Sequence, residues 1–239
     1  MKIDNDVFTH RQMPIFLEKS RILTDYLQDL SYDELKSIWK CSDNLAKYNF
    51  DIIQNLDLYN NLTPAILSYE GLQYQHMAPG IFTYEELDYM EEHLRILSGV
   101  YGILRPFDGI VPYRLEMQAK LLDWEHKSLY EFWKDKIAKS LFSESKYILN
   151  LASKEYSKCI SKYLTGDIKL INCVFGELVN GKVIEKGTLA KMARGEMVRF
   201  MAENNIEQLE NIKKFNRLDY VYHEELSDDN NYVFIKIKT

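Results

Sequence analysis

Apolar residues recur at helical spacing through the first half of the chain and shift to strand spacing in the second. Ile15/Phe16, Ile22/Leu23, Tyr26/Leu27 and Leu30 predict a helix over 13–30, with Pro14 suited to its first turn. Ser31-Tyr-Asp-Glu34 has the capping-box pattern and opens a second helix with Leu35, Ile38 and Trp39 inward. Ser42 or Asp43 can cap a third helix through Leu45, Phe50 and Ile53. The break between them is short, so 31–55 reads as a helical hairpin. Helix-hairpin-helix elements that hold DNA phosphates use glycine amides, and no glycine precedes Gly71. The residues alone therefore favour an ordinary helical pair. Thr63-Pro64 starts an apolar run, Ala65-Ile-Leu67, of short-strand length. Thr83-Tyr-Glu-Glu86 is a second capping box, with Leu87, Met90, Leu94 and Leu97 on one helix face. Ser128-Leu-Tyr-Glu131 caps a helix carrying Phe132, Trp133, Ile137 and Leu141.

From residue 147 the period changes. Tyr147-Ile-Leu-Asn-Leu-Ala152 is strand-like, and Ser153 follows as an N-cap ahead of Lys154-Glu-Tyr156. A strand running into a capped helix points backbone amides at an anion, and it is also the common αβ packing unit. Residues 167–179 read as extended, Asn180-Gly181 as a tight hairpin turn, and 182–185 as the return strand. Thr188 can cap a helix with Leu189, Met192/Ala193, Met197 and Phe200/Met201 toward the core, and Lys191 and Arg194 opposite. Gly195 inside that helix costs about 1 kcal/mol against Ala and suggests a close contact. Residues 220–224 and 232–238 flank Ser227-Asp-Asp-Asn-Asn231 as a terminal hairpin. The pattern predicts a single α/β domain over 1–239, with a helix-rich N-terminal half and a mixed sheet drawn mostly from the second half.

One stretch departs from regular periodicity. Residues 97–120 hold Gly99, Gly102, Gly109, Pro106 and Pro112 between Arg105, Asp108, Tyr113, Arg114 and Glu116. A turn-rich segment loaded with polar groups is either a site or a connector with its arginines in ion pairs. Charge adds a second cue. The chain of 239 residues carries net charge −6, yet residues 146–199 carry +5 and the remainder −11. An acidic protein with one basic segment can present a cationic cleft to an anion, though charge runs are also ordinary solvated faces. Three cysteines without CxxC spacing fit a reducing cytoplasm. The five histidines are scattered, so no metal or other cofactor is expected. The apolar runs are too short to span a membrane, and the N-terminus lacks a signal-peptide core.

No P-loop, GxGxxG, GxSxG or HExxH signature is present. The polar clusters are Arg105/Asp108/Arg114/Glu116, Asn150/Ser153/Lys154/Glu155 and Lys191/Arg194. Converging, they would bind either a nucleic-acid backbone or a small anionic ligand. Several segments carry a resemblance: Arg95-Ile-Leu-Ser-Gly-Val-Tyr-Gly-Ile-Leu-Arg-Pro106, Pro112-Tyr-Arg-Leu-Glu-Met117, Leu129-Tyr-Glu-Phe-Trp133, Asn150-Leu-Ala-Ser-Lys-Glu-Tyr156, and Ala190-Lys-Met-Ala-Arg-Gly195 with Arg199-Phe200. Lys40-Cys-Ser-Asp-Asn-Leu-Ala46 fits as well. Together they resemble the YaaA family of bacterial peroxide-stress proteins over essentially the whole chain.

The resemblance implies a cytoplasmic protein of the hydrogen peroxide response that limits damage from peroxide and iron. It implies a YaaA-type fold with a helix-hairpin-helix element near 31–55 and a positively charged cleft that binds DNA. Carried onto this chain, the nucleic-acid or anion-binding residues are Arg105, Arg114, Lys120, Asn150, Ser153, Lys154, Lys191, Arg194 and Arg199. The alternative is an enzyme acting on a nucleobase, nucleotide or other small anion in the same cleft, with Glu116 and Ser153 as catalytic candidates. Two departures stand out. Family members open with an apolar strand ending in Ser-Pro-Ala-Lys, whereas this sequence starts Met1-Lys2-Ile3-Asp4, which implies a lost Ser and Lys and an open sheet edge. Lys191-Met192 stands where two adjacent lysines are frequent.

Overall fold

Of the first three helices only the second opens on a side-chain cap in the computed structural model, which describes residues 1–4 and 7–237. Helix α1 (Leu17–Gln28) starts later than its apolar pattern. Pro14 lies in the turn ahead of it, where the Leu17 N–H donates to the Pro14 carbonyl at 3.2 Å. Helix α2 (Tyr32–Trp39) has the full capping box: Ser31 Oγ accepts from the Glu34 N–H, and the Glu34 carboxylate accepts from the Ser31 N–H at 2.8 Å. Leu35, Ile38 and Trp39 are buried, as the period requires. Lys40 turns left-handed (φ 47°) and ends the helix. Ser42 precedes α3 (Asp43–Gln54) without a side-chain cap bond.

Strand β1 (Thr63–Pro64) stops where proline offers no N–H to a ladder. Ala65–Leu67, expected to be extended, instead winds into the single turn α4 (Ala65–Ser68). The Ala65 and Ile66 amides donate to the Asp108 and Pro106 carbonyls at 2.9 and 3.0 Å. Next come α5 (Leu72–Met77) and α6 (Tyr84–His93), the latter opened by reciprocal Thr83–Glu86 bonds. Leu97, expected on α6, sits in β2 (Ile96–Ser98), followed by β3 (Gly102–Leu104) and β4 (Gly109–Ile110). The helix expected after Ser128 is two, α7 (Leu129–Trp133) and α8 (Lys136–Glu144), because Lys134 takes φ 48° between them. The remaining elements are β5 (Tyr147–Asn150), α9 (Lys154–Ser161), β6 (Lys169–Val179), β7 (Lys182–Ile184), α10 (Gly187–Glu203), α11 (Leu209–Ile212), β8 (Tyr220–Tyr222) and β9 (Asn231–Lys236). Helix α10 begins one residue ahead of Thr188, with Lys186 rather than Thr188 in the cap position. Lys238, expected in the last strand, lies outside the described residues.

The chain is α/β with a mixed sheet, and its residues fall into two compact units that it visits alternately. Unit 1 comprises Met1–Tyr69, Leu94–Ser140 and Lys154–Tyr163. Its strands form two short antiparallel ladders, β1–β4 and β2–β3. Leu23, Leu27, Leu35, Tyr101, Phe107 and Trp133 are fully buried there.

Unit 2 comprises Glu70–His93, Leu141–Ser153 and Leu164–Thr239. Its sheet has the order β5-β6-β9-β8, with β7 paired to the far end of β6. β5–β6 and β6–β9 are parallel, while β8–β9 and β6–β7 are antiparallel. Asn180 (φ 50°) and Gly181 (φ 75°) make the expected two-residue turn, and Val179 pairs with Lys182. Ile171, Cys173 and Phe175 of β6 pack in one core with Ala190, Ala193 and Met197 of α10. Gly195 is where α10 meets α5: a Cβ there would lie 2.1 Å from the Gln73 carbonyl oxygen.

Candidate functional site

In unit 1 the glycine-rich stretch is a buried scaffold that projects a few polar groups. Gly99 lets the backbone close in, since a Cβ there would sit 2.4 Å from the Leu115 carbonyl oxygen. Trp133 Nε1 donates to the Gly99 carbonyl at 2.9 Å. The Tyr113 hydroxyl lies 2.6 Å from Ser98 Oγ and 2.7 Å from the Tyr69 hydroxyl. Burial raises the Tyr113 pKa, against the opposing pull of hydrogen bonds from Ser98, Tyr69 and the Val100 and Gly99 amides. Asp108 is buried, and its Oδ2 accepts from the Arg105 N–H at 2.9 Å, so this carboxylate holds a turn. Along 113–117, Tyr113, Leu115 and Met117 are buried while Arg114 and Glu116 point outward. The Arg114 guanidinium lies 3.5 Å from Glu116, and its Nε is buried with no acceptor among the described residues. Glu116 and Lys120 are exposed.

Helix α9 continues unit 1. Ser153 directly precedes it. The one acidic residue of the helix is turned onto the backbone: Glu155 Oε1 accepts from the Gln118 N–H at 3.2 Å. Tyr130 donates to the Glu155 carbonyl at 2.9 Å and lies with its ring 4.6 Å beneath the Lys158 ammonium. Lys154, Lys158 and, just past the helix, Lys162 are all exposed. Sequence reasoning named only Lys154. The other two were legible as a four-residue repeat, which places all three on one face.

In unit 2 the strands bring asparagines into register. Asn150 of β5 pairs with Asn172 of β6, which pairs with Asn231 of β9. Their side chains form a directed chain. The Ala152 N–H donates to Asn150 Oδ1 (3.0 Å), Asn150 Nδ2 to Asn172 Oδ1 (2.8 Å), Asn172 Nδ2 to Asn231 Oδ1 (3.1 Å), and Asn231 Nδ2 to Asp228 (3.0 Å). Asn150 is thus tied into the sheet. On α10, Lys191 is exposed, whereas Arg194, expected on the open side with it, is largely buried. Arg199 turns to Glu203 at 2.6 Å, and Arg217 reaches both Glu196 (3.3 Å) and Glu203. Burial raises the Glu203 pKa, but the bonds from Arg199 and Arg217 outweigh it and leave the carboxyl low.

The predicted residues therefore divide. Arg105, Arg114, Glu116, Lys120 and Lys154 belong to unit 1, and Asn150, Ser153, Lys191, Arg194 and Arg199 to unit 2. Among the described residues no three His, Cys, Asp or Glu side chains are placed to hold a metal ion, and no helix is long and apolar enough to cross a membrane.

The α/β chain thus carries an exposed lysine face in unit 1 and two arginines, Arg114 in unit 1 and Arg194 in unit 2, whose buried Nε has no acceptor among the described residues. The chain belongs to the family described as peroxide stress protein YaaA, whose model matches residues 1–226. Among its relatives, a UPF0246 protein of Desulfitobacterium hafniense is 55% identical over 236 residues, covering 99% of this chain and 94% of the relative. A UPF0246 protein of Agathobacter rectalis is 51% identical, covering 98% and 94%, and one of Pediococcus pentosaceus is 49% identical, covering 99% and 94%. Family membership supports a role in peroxide stress.

Proposed function

We propose that this peroxide-stress protein binds DNA through phosphate contacts and, by covering it, limits damage from iron and peroxide. The exposed face of α9 carries the reading. Lys154 and Lys158 stand about 6 Å apart along the axis of α9, and Lys162 follows four residues later, just past its end. Among the described residues no carboxylate pairs with any of them, whereas Arg114, Arg194 and Arg199 each have one nearby. Lysine point charges in a row suit a phosphate backbone and read no base edges. With net charge −6, the chain needs such a concentrated face to hold a polyanion.

The test is fluorescence anisotropy with two unrelated duplexes across a salt series. Three phosphate contacts give a slope of log K against log salt of about −2.7. The Lys154→Gln/Lys158→Gln/Lys162→Gln variant is expected to lose that much slope and to weaken equally for both duplexes. Absence of binding at low salt, or an unchanged slope in the variant, sinks the proposal. Plasmid nicking by ferrous iron and peroxide should be slowed by the natural protein more than by the variant.

The second reading, an enzyme acting on a nucleobase, nucleotide or other small anion, draws its support from the under-bonded Arg114 and Arg194. Ser153 donates no hydrogen bond to a histidine or carboxylate among the described residues, so no base activates it as a nucleophile.

A further inference from the structure

We propose that Lys19 is a nucleophilic lysine that condenses with a small carbonyl compound carrying a carboxylate or phosphate, and that Lys134 and Lys136 draw in the charged end of that compound. All three lysines belong to unit 1, and none is a lysine of the α9 face.

Lys19 stands in the first turn of α1 and is half-buried. Its ammonium sits 4.1 Å from the centre of the Phe132 ring. That ring is buried and wedged among Trp124, His126 and Trp133, whose centroids lie 5.3, 5.5 and 5.0 Å away. One side of the nitrogen is thus an aromatic wall. The charged groups that act on it are Lys136, Lys134 and, as the one carboxylate, the exposed Glu125. Among the described residues no carboxylate forms an ion pair with Lys19, Lys134 or Lys136, whereas Lys139, on the same helix as Lys136, holds Asp135 at 2.6 Å. A ring face attracts an ammonium. Burial nevertheless lowers the Lys19 pKa, and Lys136 and Lys134 lower it further, against the weaker pull of Glu125. The start of α1 acts in the same direction, because the positive end of a helix disfavours a cation. Desolvation and neighbouring cations are what turn a lysine amine into a nucleophile toward carbonyl carbon. The neutral amine attacks that carbon, a C–N bond forms, the carbonyl oxygen leaves as water, and an imine remains. Two ammoniums beside the nitrogen favour a substrate whose far end is negative, and as point charges they impose no fixed orientation on it.

The experiment treats the full chain separately with glyoxylate, glycolaldehyde phosphate and the neutral propanal, and traps imines with cyanoborohydride. Mass spectrometry of chymotryptic peptides then gives the labelling rate of each lysine over a pH series. Each Lys19 rate is divided by that of Lys182, an exposed lysine on the β6–β7 hairpin, so differences in carbonyl reactivity cancel. Lys19 is expected to label several-fold faster than Lys182 with at least one anionic carbonyl, to show a smaller advantage with propanal, and to begin labelling at lower pH than Lys182. The anionic carbonyl with the larger advantage defines the charged end. In Lys134→Gln/Lys136→Gln that advantage should fall to the propanal value, and the onset of Lys19 labelling should move to higher pH. Labelling of Lys19 no faster than Lys182 with both anions overturns the proposal. Equal advantages for the anionic and neutral carbonyls, or a double variant that labels like the natural protein, overturn it too, because no anionic end is then recognised. These readings are the same whether or not the chain binds DNA.

Discussion

At the scale of single residues, the positions that matter most are those where something is missing or withheld. Gly195 has no side chain because the Gln73 carbonyl occupies the space where a Cβ would go. Gly195→Ala is therefore expected to cost about 2–3 kcal/mol despite the better helix propensity of alanine, read as a drop in the urea midpoint. Its place inside a helical pattern signalled a close contact before any contact was known. The partner, a carbonyl more than a hundred positions earlier, left no mark in the sequence. Arg194 shows the converse. Its spacing from Lys191 put both on the open side, yet α10 is wide enough in its burial to take Arg194 beneath the surface, where Ala193 and Gly195 on either side are also buried. Periodicity fixes an angle around the helix; it cannot say how deeply neighbouring elements embrace it.

Among the elements, those opened by side-chain caps or a turn dipeptide were the legible ones. Ser31/Glu34, Thr83/Glu86, Ser128 and Asn180-Gly181 act within a few residues, so local sequence contains their whole physics. The failures lie where the deciding partner is distant. Ala65–Leu67 fits helix or strand by length, and carbonyls from the 106–108 turn decide it. The asparagine ladder was invisible for the same reason, because only strand register aligns Asn150, Asn172 and Asn231. Asn172→Ala breaks the chain in the middle and leaves Asn150 Nδ2 and Asn231 Oδ1 without their partner. The expected cost is about 1–2 kcal/mol in the urea midpoint, because both ends are only half-buried and water restores part of the loss.

At the scale of the whole molecule, many tyrosines are held neutral by the fold. Tyr89 donates to the Ile206 carbonyl at 2.5 Å, and burial pushes its pKa up to about 12, against about 10 in an unfolded chain. Burial raises Tyr101 and Tyr113 as well. A raised acid binds its proton more tightly in the native state. The stabilisation is thus complete below about pH 10 and drains away as pH climbs through about 12. Urea midpoints should fall across that window, and Tyr89→Phe should flatten the fall; a midpoint unchanged between about pH 9 and 12 would contradict it. The alternation of the chain between its units has a consequence for biosynthesis. The last segment of unit 1 ends at Tyr163, while unit 2 also draws on the later segment that holds α10 and β9. Domains tend to fold as their last segment leaves the ribosome, so unit 1 can close several seconds ahead of unit 2. During that interval α5, made on the order of a hundred residues before α10, waits without the helix it docks against. A nascent chain stalled before Gly187 would carry both a finished lysine face and an orphaned helix, the kind of intermediate that chaperones hold.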